Sequence, residues 1–152
     1  MTASHQIFTE DQRELLTAVL NRIIPPEGQL PGAGDLGLAD FVERWAGQDV
    51  SMRRLFIEGL TLIEITARRL QGKEFLELSE MAQDQVLVEV ETRNSSFFDT
   101  LVRQCYNGYY TNPEVFQLIG YQCKLAHEYQ HQPFDESLLE PQRQRQPFWR
   151  QV

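Results

Sequence analysis

Apolar side chains recur at three- and four-residue steps through most of this chain, and residues that begin or end helices separate the repeats. The first repeat follows a capping-box pattern of Thr9 and Gln12 and stops at Pro25. No stretch of useful length alternates apolar and polar residues as a half-buried strand does. The pattern therefore predicts an all-α fold, an irregular or orthogonal bundle of about five to six helices.

Five further helices are predicted from similar signals: one from near Asp35 to before Gly47, one from about Val50 to Leu70, one capped by Ser79, one capped by Asn94 and one from Pro113 to Ile119. The helix from Val50 is the longest, and Gly72 is placed to end it. Leu62 and Ile65 widen its apolar face, which predicts a central helix with neighbours on two sides.

Residues 106–114 predict a sharp joint between the last two helices. Gly108 is placed to end the fifth helix in the left-handed conformation, which costs little without a Cβ atom. Asn112 is a suitable N-cap for the sixth helix, with Pro113 at its first position. Four tyrosines surround the joint: Tyr106, Tyr109, Tyr110 and Tyr121. They form either an aromatic corner packed on the chain's own core or, in part, a surface for another protein, where tyrosine is enriched.

The character of the sequence changes after Gln132. We therefore predict a helical domain over residues 1–132 and a Pro/Gln/Arg-rich C-terminal tail of poor intrinsic order over residues 133–152. The tail ends with Phe148 and Trp149 beside a cation. These aromatic residues belong to a flexible tail, fold back on the domain, or anchor the tail on a partner.

One stretch resembles a catalytic pattern, His127-Glu128-Tyr129-Gln130-His131. On a helix, two histidines four residues apart share a face that can hold zinc, and Glu128 can activate a bound water. Cys123 lies four residues before His127 on the same side. A catalytic zinc needs a third ligand, but Phe134 and Ser137 stand where the extended motif has a glycine and a histidine. We therefore favour a solvated helical segment over a zinc site and assign no metal ligand or catalytic residue.

Composition excludes some classes of partner. A net charge of −8 argues against nucleic acid or an anionic membrane surface. No apolar run approaches the roughly 20 residues that cross a bilayer, and no signal peptide is visible, so the chain as written is expected in the cytoplasm. Cys105 and Cys123 either pair in an oxidising compartment or remain small apolar residues, and we favour the unpaired state.

Several segments together resemble the small third subunit of gluconate 2-dehydrogenase. The resemblance rests on four features in a fixed order: the helix from Phe8-Thr9 to Ile23-Ile24-Pro25, the loop Pro31-Gly32-Ala33, the stretch Lys73-Glu74-Phe75 before Leu78-Ser79, and Gly108-Tyr109-Tyr110-Thr111-Asn112-Pro113-Glu114 followed by Ile119-Gly120-Tyr121. They extend from Phe8 to Tyr121, which is most of the chain.

The resemblance implies a non-catalytic, chaperone-like accessory subunit without activity alone and without a cofactor of its own. FAD and the chemistry would belong to a large flavin-dependent subunit of the glucose–methanol–choline type, and a cytochrome c subunit often carries the electrons onward. The small subunit would assist folding, stability or export of the large one, in the periplasm. The predicted interface residues are Tyr109, Tyr110, Tyr121, Phe148 and Trp149. The alternatives are a small helical zinc metalloenzyme and a stand-alone helical interaction domain.

Overall fold

A computed structural model describes residues 6–121 and 135–144 of the chain. Residues 6–121 form six α-helices: α1 (Glu10–Ile23), α2 (Leu38–Ala46), α3 (Val50–Gln71), α4 (Glu80–Arg93), α5 (Ser95–Tyr109) and α6 (Pro113–Leu118). A 3-10 turn, Phe75–Glu77, lies between α3 and α4. The described residues contain no β-strand beyond an isolated bridge between Glu27 and Leu30. The predicted all-α class is confirmed.

The chain divides into two units, residues 1–121 and 122–152. In the second unit, residues 135–144 include a 3-10 turn at Glu136–Leu139 and a single helical turn, α7 (Glu140–Arg143). The Asp135 side chain begins this segment by accepting a hydrogen bond of 3.0 Å from the Ser137 backbone. The sequence predicted no helix here. The predicted domain boundary after Gln132 lies outside the described residues.

Most helix ends follow the predicted caps. Thr9 and Gln12 form the reciprocal capping box of α1. Asn94 accepts from the Phe97 backbone at 3.2 Å, and Asn112 accepts from the Glu114 backbone at 2.9 Å. Ser79 occupies the N-cap position of α4, although its side chain makes no capping hydrogen bond. These interactions join residues two or three positions apart, which explains why a sequence pattern can reveal them.

The predicted start of α2 near Asp35 is wrong, because the helix begins at Leu38. Residues before it are held against α1 instead. The Asn21 side chain donates to Asp35 Oδ1 at 2.9 Å and accepts from the Gly34 backbone N–H at 2.8 Å. This pair of hydrogen bonds fixes a turn where the local sequence also permits a helix.

Helix α3 is central, as predicted, and contacts α1, α2, α4 and α5. Its Phe56 is fully buried, and its ring lies 5.5 Å from that of Phe97 and 6.0 Å from that of Trp45 between centroids. Gly72 ends the helix with a φ of +69°, as expected. Ile65, in contrast, is 57% exposed, so the predicted widening of the apolar face at this residue is wrong.

Gly108 does not have the predicted role. Helix α5 continues through it to Tyr109, and its φ is not positive. A Cβ atom at this position would lie 2.9 Å from Phe41 Cδ1 and 3.2 Å from Leu38 Cδ2. The missing side chain therefore allows α2 to approach α5 closely, which is a contact between helices rather than a local turn. None of the described helices has the length and apolarity needed to cross a membrane.

Candidate functional site

Three tyrosine rings remain exposed at the junction of α5 and α6. Tyr106, Tyr110 and Tyr121 are 45%, 50% and 54% exposed, and we call them the tyrosine corner. The rings of Tyr106 and Tyr110 stack with 5.9 Å between centroids, and Tyr121 packs at 5.0 Å on the ring of Phe116. The corner therefore presents aromatic area that is ordered by ring contacts but not covered by the chain's core.

Tyr109, which was predicted to lie at the same surface, is only 2% exposed. Its hydroxyl donates a hydrogen bond of 2.9 Å to the backbone oxygen of Pro31. Burial is the main cause that raises the pKa of this hydroxyl. The expectation that Tyr109 is exposed is wrong, because its position on α5 points it towards the loop after α1. It instead joins two segments that are 78 residues apart.

The apolar surface continues from the tyrosine corner along α5. Phe98, Val102, Tyr106 and Tyr110 follow one another at steps of four residues, so they share one side of the helix. Next to this stripe lies a groove of about 270 Å³, which we call the α4–α5 groove. The residues that line it are Arg22, Ile23, Asp84, Leu87, Val88, Glu91, Phe98, Val102 and Tyr106.

The rim of the α4–α5 groove is acidic. Arg22 Nε and Nη2 donate to the two carboxylate oxygens of Asp84, each at 2.8 Å, and Arg22 Nη1 lies 2.9 Å from Glu80 Oε2. The hydrogen bond with Asp84 is the largest of the causes that raise the pKa of Arg22. Glu91 is exposed and forms no ion pair with another described residue. Among the described residues that line the groove, Arg22 is the only cation; it pairs with Asp84 and with Glu80 beside the groove, while the Glu91 carboxylate faces solvent.

A buried carboxylate holds the start of the domain in place. Glu43 is 6% exposed, and its Oε1 accepts from the backbone N–H groups of Ile7 and Phe8 at 2.8 and 3.0 Å. Its Oε2 accepts from Arg13 Nη1 at 2.6 Å. Three donors compensate for the loss of water around the charge, so Glu43 has a structural role. The sequence alone did not predict this role, although the spacing of Glu43 from Ala39 and Ala46 places it on the buried side of α2.

A second polar feature is a cavity of about 460 Å³ between α1 and α3, lined partly by Thr9, Thr61, Glu64 and Arg68. Burial is the main cause that raises the pKa of the Glu64 carboxyl, and its Oε2 has no hydrogen-bond partner. Arg68 is engaged with Glu74 at 2.8 Å. Within residues 6–121 and 135–144, no group of three His, Cys, Asp or Glu side chains is arranged to hold a metal ion.

Several predicted residues lie outside the part of the chain that the structure describes: the pattern His127 to His131, Cys123, and the tail residues Phe148 and Trp149. Cys105 is described and buried, and burial raises the pKa of its thiol to about 12. Whether it pairs with Cys123 stays a prediction, as does the interface role of the tail.

Comparison with known proteins gives one match. The model of a family described as gluconate 2-dehydrogenase subunit 3 matches residues 10–124, which is most of the chain. No curated protein and no solved structure matches this chain. The matched range includes all six helices of the first unit and the tyrosine corner.

Proposed function

Because this chain belongs to the gluconate 2-dehydrogenase subunit 3 family, we propose that it is the accessory subunit that binds a large flavin-dependent dehydrogenase. Membership in the family makes it one subunit of a multi-subunit enzyme and so implies partner subunits. In the proposal, the partner is of the glucose–methanol–choline type and carries FAD and the redox chemistry. A cytochrome c subunit receives the electrons. The small chain has no activity alone and assists folding, stability or export of the partner.

The observation that carries the proposal is the exposed tyrosine corner. Tyr106 and Tyr110 stack on each other and still leave about half of each side chain in solvent. Large aromatic side chains at exposed, ordered positions are typical anchors of protein interfaces. The corner is continuous with the apolar stripe of α5, so the exposed area extends beyond an isolated ring.

Two buried groups support an accessory role because each already has a structural function. The carboxylate of Glu43 is occupied by three donors within the domain. Cys105 is fully buried, and the raised pKa of its thiol disfavours the reactive thiolate. Neither of these two groups is therefore available for catalysis, which agrees with the proposal that the chemistry belongs to the partner.

The proposal is tested by co-expression with the flavin-dependent dehydrogenase encoded nearest to this chain. The intact chain should copurify with that protein and raise its soluble, FAD-loaded yield. Tyr110→Ala should weaken capture by about thirtyfold, the effect of losing an interface anchor of about 2 kcal/mol. Ile65→Ala, at a residue of α3 that is 57% exposed, is the matched control and should capture normally.

If the intact chain does not copurify with the dehydrogenase, and the yield and activity of the dehydrogenase are the same without it, the accessory role is wrong. If capture occurs and Tyr110→Ala does not weaken it, the accessory role stands and the tyrosine corner is not its interface. The thermal unfolding midpoint of each variant shows whether a weakened capture reflects the surface or a loss of folding.

A further inference from the structure

We propose that the α4–α5 groove receives an amphipathic helix of the dehydrogenase, with an apolar face flanked by lysine or arginine. This inference rests on the proposed function and adds the surface and the chemistry of the segment that binds there. It concerns the groove between the helices and not the tyrosine corner alone. The groove and the corner share Tyr106, so one partner can cover both.

The spacing of the groove residues suits a helix. The α4 wall consists of Asp84, Leu87, Val88 and Glu91, at steps of three, four and seven residues from the first. The α5 wall consists of Phe98, Val102 and Tyr106, at steps of four. Seven to eight residues of helix span about 10–12 Å, so each wall matches about two turns of an added helix. A helix laid in a groove uses anchors with the same spacing.

The size of the groove favours side-chain anchors over a cofactor. Its volume of about 270 Å³ is below the usual range of small-molecule pockets, roughly 300–1,000 Å³. The apolar floor is already packed, since Leu87 is 5% exposed. Val88 is 61% exposed beside it, although the core gains little from an apolar residue there. The exposed part of Val88 is thus the contact surface that a partner helix would cover.

Charge selects the type of helix. Among the residues that line the groove, Arg22 supplies one positive charge while Asp84 and Glu91 supply two negative charges, which leaves an excess of one. Glu80, which does not line the groove, adds a further negative charge next to Arg22. Because Arg22 is already paired, an acidic helix would bring carboxylates close to Glu91, which has no ion-pair partner in the part of the chain that the structure describes. A basic flank would instead complement the rim, and such complementarity sets specificity and the rate of association. The occupant is therefore apolar on one face and basic at its edges.

The first test changes the apolar wall. Val88→Asp should weaken capture of the dehydrogenase by tenfold or more, because it places a charge where apolar contact is expected. Valine and aspartate have similar helix propensities, and Val88 is mostly exposed, so the unfolding midpoint should hardly change. Val50→Asp, the same substitution at an 80% exposed residue of α3, is the control and should capture normally.

The second test reverses a charge. Glu91 lies near the C-terminal end of α4, where a lysine is favoured by the helix dipole, so Glu91→Lys should not destabilise the fold. It should nevertheless weaken capture severalfold, with the difference from the intact chain shrinking at high salt. Glu58→Lys makes the same change in net charge at an exposed residue of α3 and should have little effect.

The third test identifies the occupant. A photo-crosslinking residue at position 88 should join the chain to a dehydrogenase helix with apolar residues at three- and four-residue steps and lysine or arginine beside them. A crosslink to an acidic or extended segment, or to a second copy of this chain, would overturn the inference. Normal capture by both Val88→Asp and Glu91→Lys would also overturn it. An unexpected crosslink or normal capture by both variants would leave the proposed function unchanged. The proposed function fails only if the intact chain captures no dehydrogenase.

Discussion

Single residues in this domain act mainly through contacts with other helices. Gly108 lies inside α5 and allows the side chains of Phe41 and Leu38 to approach its backbone. Glu43 lies inside α2 and binds the chain about 35 residues before it. In both cases the identity of the residue is explained by a distant neighbour and not by its own helix.

Substitutions at Gly108 test which of two reasons explains the glycine: close packing between helices or the capping of a helix end. We expect Gly108→Ala to remain within about 1 kcal/mol of the parent, because the gain in helix propensity offsets a tight Cβ contact. Gly108→Asn should lose about 1–3 kcal/mol, because a larger side chain must displace Phe41 and Leu38. Urea unfolding measures both. A glycine in the left-handed conformation would give the reverse order, with asparagine tolerated better than alanine.

The Glu64 carboxyl predicts a dependence of stability on pH. Burial raises its pKa above the ordinary value of 4.5, so the folded protein binds this proton more readily than the unfolded protein does. Ionisation therefore costs stability as the pH rises from 4.5 through the raised pKa, so the penalty is larger at about pH 7 than at about pH 4. Glu64→Gln should raise the urea midpoint at about pH 7.

The same comparison at about pH 4 should show little difference, because Glu64 is then protonated in the folded protein. Glu91→Gln, at an exposed residue, is the control and should show no such gain at neutral pH. A gain for Glu64→Gln that is equal at both pH values would show that its charge is not the cause.

At the scale of elements, the contact between α3 and α5 sets how closely the central helix is packed. A Cβ atom on Gly59 would lie 2.3 Å from the ring of Phe97, which is fully buried. The two helices therefore meet through a bare backbone on one side and an aromatic ring on the other. Such a contact is sensitive to a single added methyl group.

We expect Gly59→Ala to destabilise the protein by about 1–3 kcal/mol despite its better helix propensity, since the added methyl group overpacks the core. Combining it with Phe97→Leu should cost less than the sum of the two single changes, by about 0.5–3 kcal/mol. Guanidinium unfolding of the four proteins measures this coupling. As a control, Gly59→Ala is combined with Phe116→Leu on α6, and the two effects should add. If the effects of Gly59→Ala and Phe97→Leu also add strictly, the proposed contact is wrong.

At the scale of the whole molecule, two of the segments on which the sequence resemblance was based meet in space. Tyr109, from the segment near the C-terminal end of the match, donates to the oxygen of Pro31 in the loop after α1. Phe75, from the middle segment, is fully buried. Residues of these segments therefore contribute to the packing of the domain, whereas Tyr110 and Tyr121 in the last segment are exposed. In the proposed function, these exposed residues contact the partner subunit.

The pattern His127-Glu128-Tyr129-Gln130-His131 gives a prediction for the complete chain. Since the sequence supplies no third ligand at the expected spacing, the purified protein should hold no stoichiometric zinc at neutral pH. Elemental analysis by mass spectrometry measures the zinc content. One tightly bound zinc per chain, lost in both His127→Ala and His131→Ala, would favour the metalloenzyme alternative. Glu128→Gln would then show whether the metal supports a hydrolytic activity.

The sequence by itself determined the helices and most of their ends. Helix caps depend on neighbours within about three positions, so one sequence is enough to predict them. Examples are the capping box of Thr9 and Gln12 and the N-caps Asn94 and Asn112. The sequence left open whether the tyrosines pack on the core or face outward; Tyr110 and Tyr121 are exposed, as the second interpretation expects, and Tyr109 is not. The interface role of these rings remains a prediction.

The tertiary structure alone decided how the helical faces are paired. Gly108 has the local features of a helix end, and only the approach of α2 shows that it is a packing site. Tyr109 and Tyr110 are adjacent in sequence, yet one is buried against Pro31 and the other is half exposed. Glu43 finds its backbone donors at Ile7 and Phe8, on a segment that no local pattern connects with α2. The reason is physical: burial and hydrogen bonding between distant residues depend on which faces of the helices meet, and a local pattern does not contain that information.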